Sequence, residues 1–225
     1  MAEKWGAPLV TVRQGHYTES YYMVFPQPQW EERTARPRKL AVLFPGFGYS
    51  CDKPLLHYAR RAAEQFGYDV LPIFYPADLP TWDKAALAHS VAACLPSALS
   101  AARDAVHMAR ERRHYTELVF FSKSFGTVVA GALSAELQWR AVRNFYLTPL
   151  NQTMPYMEAA PCEAATGTMD PYLSADVRHQ MALLHGVTLH ICPGANHSLE
   201  VPGDAAASVR VLESMVESYL RFLAF

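Results

Sequence analysis

The sequence predicts an α/β protein built on a mostly parallel central sheet with helices on both faces. Short apolar stretches that suit buried strands alternate strictly with longer stretches whose apolar residues recur at helical spacing. Parallel strands need a crossover between them, which a helix usually provides. A chain of 225 residues fits one large domain or two small ones, and a single domain over residues 1–225 is the simpler expectation.

The chain begins with a predicted antiparallel hairpin. Residues 9–13 and 16–25 are rich in β-branched and aromatic side chains, and Gln14-Gly15 between them suits a turn. We expect this hairpin to form an antiparallel edge. The next strand is the continuous apolar run at residues 40–44, which stops at the segment Pro-Gly-Phe-Gly.

The middle of the chain predicts one helix, one strand and a long helical region. Residues 52–67 carry an apolar stripe at helical spacing, with Asp52 as the expected N-cap. Residues 70–75 suit a strand. Residues 81–113 are rich in alanine and have a helical pattern, but Pro96 should kink this region or divide it into two helices.

The second half of the chain continues the alternation. The strand at 162–167 is predicted from its place in the order, since its alanine-rich sequence is a poor strand former. Ligand sites in such sheets lie beyond the C-terminal ends of the strands, where functional residues are expected. The predicted elements are a strand from residue 118, a helix over 125–140, strands over 144–148 and 162–167, a helix from Ser174 to near Gly186, a strand over 187–192 and a helix over 205–223.

The composition limits the expected partners and location. Hydrophobic and charged fractions of 51% and 18% are ordinary for a globular protein, and a net charge of -1 gives no attraction to nucleic acid. Neither a secretory signal nor a run of about 18 apolar residues occurs, so we expect a cytoplasmic protein without membrane association. The four cysteines are widely spaced and form no C-x-x-C pair, which predicts neither a metal site nor disulfides.

A serine lies at the turn between the strand that starts at residue 118 and the helix that follows. The segment S-K-S-F-G around Ser124 has the form of a nucleophile elbow, G-x-S-x-G, with Ser122 in place of the first glycine. The elbow needs small residues two positions before and after the nucleophile because its strand and helix cross closely. Taken alone, the segment also suits an ordinary turn from strand to helix.

Two further strand ends carry a carboxylate and an imidazole. Asp170 lies in G-T-M-D-P, and His197 lies in G-A-N-H-S. A serine hydroxyl becomes an effective nucleophile when a histidine takes its proton and a carboxylate orients that histidine. Alone, Asp170 would suit a turn and His197 a loop, but the order Ser, Asp, His at successive strand ends favours a catalytic triad.

These three motifs resemble those of the α/β-hydrolases, and the resemblance in element order covers nearly the whole chain. In size and organisation the chain is similar to the small carboxylesterases and dienelactone-hydrolase-like members, which have no cap. The resemblance implies the α/β-hydrolase fold with an N-terminal antiparallel hairpin. It also implies Ser124 as nucleophile, Asp170 as acid and His197 as base, with no cofactor.

The same resemblance implies an oxyanion hole after the strand at 40–44. Its donors would be the backbone N–H groups of Phe47 and Phe125, and loss of one such donor typically lowers the rate by roughly 10²–10³. The chain departs from the family pattern at Ser122 and at Pro45, where many lipases and esterases have histidine. Neither departure removes a catalytic group.

The connection at residues 149–161 is where α/β-hydrolases insert lids. Here it has about a dozen residues, which is too short for a separate cap domain. Lys123, beside the nucleophile, is expected to point away from it and to have a structural or charge-pairing role. An apolar cleft is expected to be lined by Tyr49, Met154, Tyr156, Met157 and Tyr172 together with Phe47, although the same side chains would also suit packing of the loop.

We therefore expect a serine hydrolase that cleaves a carboxylic ester or a related acyl bond through an acyl-enzyme on Ser124. Its expected partner is a small-molecule acyl substrate, with no nucleic acid and no membrane. Two alternatives stay open, namely a non-catalytic binding protein of the same fold and an acyltransferase, peptidase or C–C hydrolase that uses the same three residues. No feature of the sequence indicates an oligomeric state.

Overall fold

The computed structural model of the protein describes residues 10–14, 17–21, 39–75, 85–137 and 142–224. By its contacts the chain divides into two compact units, Met1–Arg36 and Pro37–Phe225. The expected single domain over residues 1–225 stays a prediction, because most of the first unit lies outside the described residues.

The first unit contains an antiparallel hairpin, as the sequence predicts. Strand β1 (Val10–Gln14) pairs with strand β2 (Tyr17–Tyr21), and Val10 lies opposite Tyr21. The two strands form a two-stranded sheet. A tight turn determines the pairing of its own two strands.

A six-stranded parallel sheet is the centre of the second unit and confirms the predicted fold class. Its strands are β3 (Lys39–Phe44), β4 (Tyr68–Pro72), β5 (Glu117–Lys123), β6 (Val142–Leu147), β7 (Cys162–Gly167) and β8 (Val187–Cys192). The strand order is β4-β3-β5-β6-β7-β8. Strand β5 is buried along almost its whole length, as expected of a strand covered on both faces.

Helices cover both faces of this sheet. They are α1 (Pro54–Gln65), α2 (Leu87–Arg112), α3 (Phe125–Leu137), α4 (Met154–Ala159), α5 (Ala175–Leu183) and α6 (Ala205–Ala224). Helices α1 and α6 share a core layer with Phe121, whereas α2 and α3 share one with Phe120. Neighbouring strand residues point to opposite faces, which explains the division. Within the described residues, no helix is long and apolar enough to span a membrane.

Helix α1 starts later than the sequence predicts. Its N-cap is Lys53, whose side chain makes no capping hydrogen bond, and not Asp52. Pro54 takes the first helical position because it has no N–H to satisfy and its fixed φ suits that position. The following strand β4 begins at Tyr68, ahead of the predicted residue 70, because Gly67 (φ 77°) ends the helix at once.

Helix α2 is continuous over 26 residues, although Pro96 lies inside it. Proline removes one intrahelical hydrogen bond and usually kinks or ends a helix. Here the buried side chains continue on both sides of the proline, with Val91 and Cys94 before it and Ala98 and Ala102 after it. This packing against the core holds the two parts together as one helix, so of the two expected effects of Pro96, a kink or a division, the division does not occur.

Candidate active site

Ser124 lies at the turn between β5 and α3 in a strained backbone conformation. Its φ is 54°, in the left-handed region that residues other than glycine seldom adopt. Its N–H donates to the Leu147 carbonyl at 3.0 Å, and Thr127 Oγ1 donates to the Ser124 carbonyl at 2.6 Å. These bonds to β6 and to the first turn of α3 hold the serine in the conformation expected of a nucleophile elbow.

The residues on either side of Ser124 explain the small positions of the elbow. A Cβ at Gly126 would collide with the carbonyl oxygens of Phe44 and Pro45, lying 2.5 Å from the latter. Ser122 is fully buried, and its Oγ lies 3.5 Å from the Phe145 carbonyl. The close approach of strand and helix therefore demands glycine after the serine, while the position before it accommodates a second small side chain.

The structure brings the three predicted residues together in one hydrogen-bonded series. His197 Nε2 lies 2.8 Å from Ser124 Oγ, and His197 Nδ1 lies 2.8 Å from Asp170 Oδ2. The Asp170 side chain is fully buried, whereas 18% of the His197 side chain is exposed. Residues from three separate strand ends thus meet at hydrogen-bond distance, although 73 positions separate Ser124 from His197 in the chain.

The loops that carry Asp170 and His197 are bonded to one another. Met169 N–H donates to the Ala195 carbonyl at 2.9 Å, and a Cβ at Gly167 would collide with that same carbonyl. Asp170 Oδ1 accepts from the Tyr172 N–H at 2.9 Å, and the Tyr172 ring meets the His197 ring edge-on at 4.6 Å. Both carboxylate oxygens therefore have a partner, and the imidazole is held from two sides.

Asn196 is a positioning residue that the sequence analysis missed. Its Oδ1 accepts from the N–H groups of Ser198 at 2.8 Å and Glu200 at 3.2 Å, which closes the loop around His197. Leu199 in this loop has a φ of 57°. Asparagine commonly bonds to the backbone just after it in turns, so Asn196 before His197 was the available signal.

The turn after β3 packs directly on the serine. Gly46 and Tyr49 exchange backbone hydrogen bonds of 3.1 Å, which places Phe47 and Gly48 at the tip of a tight turn. A Cβ at Gly46 would lie 3.0 Å from Ser124 Cβ. The Phe47 ring contacts the Phe125 ring, with centroids 4.7 Å apart. The two segments expected to supply an oxyanion hole therefore lie side by side, and the role of their N–H groups stays a prediction.

Solved structures of serine hydrolases and esterases share this architecture over most of the chain. Est1E from Butyrivibrio proteoclasticus is 12% identical with a TM-score of 0.63, over 96% of this chain and 99% of its own. XC6422 from Xanthomonas campestris, a serine hydrolase without a lid, is 16% identical with a TM-score of 0.58, over 87% of each chain. A serine hydrolase homologue from Coxiella burnetii is 10% identical with a TM-score of 0.62, over 84% of this chain and 86% of its own. No family model matches the sequence, and no curated protein is significantly similar to it.

The parallel sheet, the strained serine between β5 and α3 and these structural similarities together decide the fold. The protein has the α/β-hydrolase fold. Ligand sites in such sheets lie at the C-terminal strand ends, which is where the hydrogen-bonded series is found. In this α/β-hydrolase fold the connection between β6 and β7 holds one short 3₁₀ turn (Asn151–Thr153) and helix α4.

A cleft of about 610 Å³ opens over the serine of the hydrolase fold. Ser124 and His197 line it together with three of the predicted substrate-binding aromatics, Phe47, Tyr49 and Tyr172. Two lysines that were not expected in the cleft, Lys53 and Lys123, also line it. Within the described residues the cleft therefore combines an aromatic lining with two amino groups.

Helix α4 contributes none of the residues expected from it to this cleft. Met157 is fully buried, and Met154 and Tyr156 pack against the core layer of α2 and α3. A Cβ at Gly131 of α3 would collide with the Tyr156 ring, so the ring lies directly on this glycine. Met154, Tyr156 and Met157 are thus not among the lining residues of this cleft, and Tyr156 packs on Gly131 instead.

Metal ligands and thiols were considered among the residues that the structure describes. Within the described residues, no group of three or more His, Cys, Asp or Glu side chains could hold a metal ion. The four cysteines are free and buried. Burial raises the pKa of Cys51 to about 12 and that of Cys192 to about 11, which keeps both thiols protonated at neutral pH.

Lys123 is a charged residue at the end of a buried strand. Its side chain is 1% exposed, and its Nζ lies 5.1 Å from the centroid of the Tyr49 ring. Burial lowers the pKa of Lys123 from 10.5 to about 7, and the negative charge of Asp170 opposes this shift. The structure records no ion pair of Lys123 with a described residue, and the oxygens of Asp170 accept from the Tyr172 N–H and bond to His197 Nδ1.

Replacement of Lys123 by methionine is expected to stabilise the protein at and below neutral pH. The lysine has a pKa of 10.5 in its ordinary state and about 7 when folded. Between these two pH values the unfolded chain binds more protons than the folded protein. The destabilising effect of Lys123 is therefore complete below pH 7 and is lost as the pH rises toward 10.5. The advantage of Lys123→Met in free energy of unfolding should shrink by about 1.4 kcal/mol per pH unit above pH 7.

Urea unfolding of both proteins at about pH 6 and about pH 9 measures this difference. The tyrosines and thiols titrate alike in both proteins and cancel in the comparison. A gap in free energy of unfolding that stays constant between the two pH values would contradict the low pKa of Lys123.

Proposed function

We propose that the protein is a serine hydrolase that cleaves a carboxylic ester or a related acyl bond through a covalent acyl-enzyme on Ser124. The hydrogen-bonded series of Ser124, His197 and Asp170, with both distances at 2.8 Å, carries the proposal. Its position at the elbow of an α/β-hydrolase fold supports it, since that turn exposes the serine to a substrate above the sheet.

In the acylation step, Ser124 Oγ attacks the carbonyl carbon of the substrate. His197 Nε2 accepts the hydroxyl proton, and the imidazolium that forms is stabilised by the Asp170 carboxylate on Nδ1. The tetrahedral intermediate collapses when the bond to the leaving group breaks, and His197 returns the proton to that group. The products of this step are the free alcohol or amine and an ester on Ser124.

In the deacylation step, water takes the place of the leaving group. His197 accepts a proton from the water as it attacks the acyl-enzyme carbonyl, and then gives the proton to Ser124 Oγ. The carboxylic acid leaves, and the free serine is restored. The same base acts in both steps because its Nε2 already lies at hydrogen-bond distance from the serine.

The negative charge on the carbonyl oxygen needs backbone donors in both steps. The N–H groups of Phe47 and Phe125 are the proposed donors, and the contact between their rings at 4.7 Å supports a shared location. The start of α3 adds to this, because the N-terminus of a helix favours negative charge. The tight turn at Gly46 lies against the serine and carries Phe47 beside Phe125.

The size of the cleft favours a small or modest acyl substrate. Helix α4 packs on the core, so the connection between β6 and β7 forms no cap over the serine. XC6422, to which this chain is similar, is likewise a serine hydrolase without a lid. A site of about 610 Å³ lies in the range of small-molecule pockets.

A fluorophosphonate probe tests the proposal directly. We expect the probe to label the wild-type protein, peptide mapping to place the label on Ser124, and Ser124→Ala to remain unlabelled. Wild-type protein should also hydrolyse at least one ester in a panel of chromogenic esters. A folded protein that neither labels nor hydrolyses any of them would favour a non-catalytic binding protein of the same fold. Labelling without hydrolysis would direct the search to an acyl acceptor other than water.

A further inference from the structure

Two amino groups meet at one aromatic ring in the cleft. Lys123 Nζ lies 5.1 Å from the centroid of the Tyr49 ring, and Lys53 Nζ lies 5.7 Å from it. Tyr49 is held in place because its hydroxyl accepts from the Leu55 N–H at 3.0 Å. All three residues line the cleft with Ser124, and no carboxylate lines it within the described residues. The cleft therefore presents two amino groups near the nucleophile.

Lys123 is the more unusual of the two lysines. Its side chain is 1% exposed, yet the structure gives it no hydrogen bond or ion pair with a described residue. Asp170 is the nearby opposite charge, and its two oxygens bond to His197 Nδ1 and the Tyr172 N–H. A buried ammonium that faces an aromatic ring and has no acceptor among the described residues is unfavourable, because burial removes the water that would solvate it.

A bound group with a negative charge would stabilise the buried amine of Lys123. An anion beside Lys123 would supply the missing acceptor and would favour the charged form of the amine. Lys53, which is exposed at the start of α1, would attract the same anion from solvent. A neutral substrate would leave the buried amine as it is.

We infer that the acyl substrate carries an anionic group, a carboxylate or a phosphate, which binds Lys123 and Lys53 while its acyl carbon lies at Ser124. The inference rests on the proposed function, and it names the class of substrate for that site. Lys123 becomes a specificity-determining residue, which explains why a lysine follows the apolar or small side chains of residues 118–122 at the end of β5.

Two esters of matched shape measure this preference. The p-nitrophenyl monoester of glutaric acid carries a carboxylate where p-nitrophenyl 5-methylhexanoate carries an isopropyl group. Wild-type protein is expected to have a kcat/KM for the anionic ester that is roughly tenfold higher or more, because a hydrogen bond to a charged group contributes a free energy of that size. Rates with Ser124→Ala are subtracted, since the free carboxylate of the monoester promotes its own hydrolysis.

Three variants locate the source of the preference. Lys123→Met should lower the ratio of the two kcat/KM values to near one, and Lys53→Met should lower it in part. Arg61→Met is the control, because it removes a positive charge from an exposed residue on α1 that does not line the cleft. Circular dichroism and thermal melting check that each variant is folded.

Binding by the wild-type protein provides a measurement that needs neither a variant nor turnover. Calorimetry is expected to show binding of glutarate and none of its neutral analogue glutaramide, and competition with inorganic phosphate shows which anion the site prefers. Equal binding of glutarate and glutaramide would overturn the inference, as would a preference for the neutral ester or a ratio unchanged in folded Lys123→Met. If no ester is hydrolysed and Ser124 is not labelled, the proposed function fails, and the calorimetry still decides whether the anion site exists.

Discussion

Replacement of Ser124 by alanine is expected to lower kcat for any ester substrate by roughly 10⁴-fold or more, because it removes the only group proposed to form the acyl-enzyme. The change deletes one oxygen and leaves the backbone of the elbow in place. A KM close to that of the wild-type protein is therefore expected where turnover can still be measured. Stopped and continuous ester assays, with the uncatalysed rate subtracted, give both constants.

Ser122→Gly is the matched control for this experiment. It changes a serine two positions earlier in the same elbow and restores the G-x-S-x-G pattern. The Ser122 hydroxyl makes only a long contact of 3.5 Å with the Phe145 carbonyl, so kcat should change by less than roughly tenfold. Equal losses in the two variants would assign the effect to the elbow's conformation and would contradict a special role for Ser124.

Gly126→Ala is expected to destabilise the protein by about 3 kcal/mol or more, which is large for the addition of one methyl group. The new Cβ would meet the carbonyl oxygens of Phe44 and Pro45, with the latter only 2.5 Å away. These are backbone atoms of β3 and of the turn that follows, so they cannot rotate aside as a side chain would. Strand β3 and helix α3 must separate, and activity should fall with stability. Urea unfolding measures the loss.

Gly203→Ala separates this collision from the general effect of losing a glycine. Gly203 has a φ of 79°, but no atom lies within 4 Å of the place where its Cβ would go. The variant should lose only about 1–2 kcal/mol from backbone strain and should keep its ester hydrolysis. A loss as large as that of Gly126→Ala would show that crowding at Phe44 and Pro45 is not the cause.

The sheet was predictable because its signals are local. The apolar runs that became β3, β5 and β8 each stop at a glycine, proline or small polar residue, and strict alternation then implies parallel pairing. The errors arose where a tertiary contact decides. Pro96 does not break α2 because buried side chains on both sides of it hold the helix to the core, and no local pattern records that packing.

The candidate site divides in the same way. Ser124, Asp170 and His197 could be found because chemistry at the C-terminal ends of strands is visible as motifs in the chain. The position of Tyr156 could not be predicted from the sequence, because it depends on a groove at Gly131 that exists only after α3 has packed. The sequence shows a lysine beside the nucleophile. That Lys123 is buried in the cleft could be known only from the folded structure.

The order of the strands separates the parts of the site by their local stability. Ser124 follows β5, which lies inside the sheet between β3 and β6, whereas His197 follows β8, an edge strand with largely half-buried or exposed residues. Edge elements with few buried contacts open before the centre does. A fluctuation that releases β8 would carry the base away and leave the serine and the core intact. Local opening at this edge is therefore expected to abolish activity before the protein unfolds.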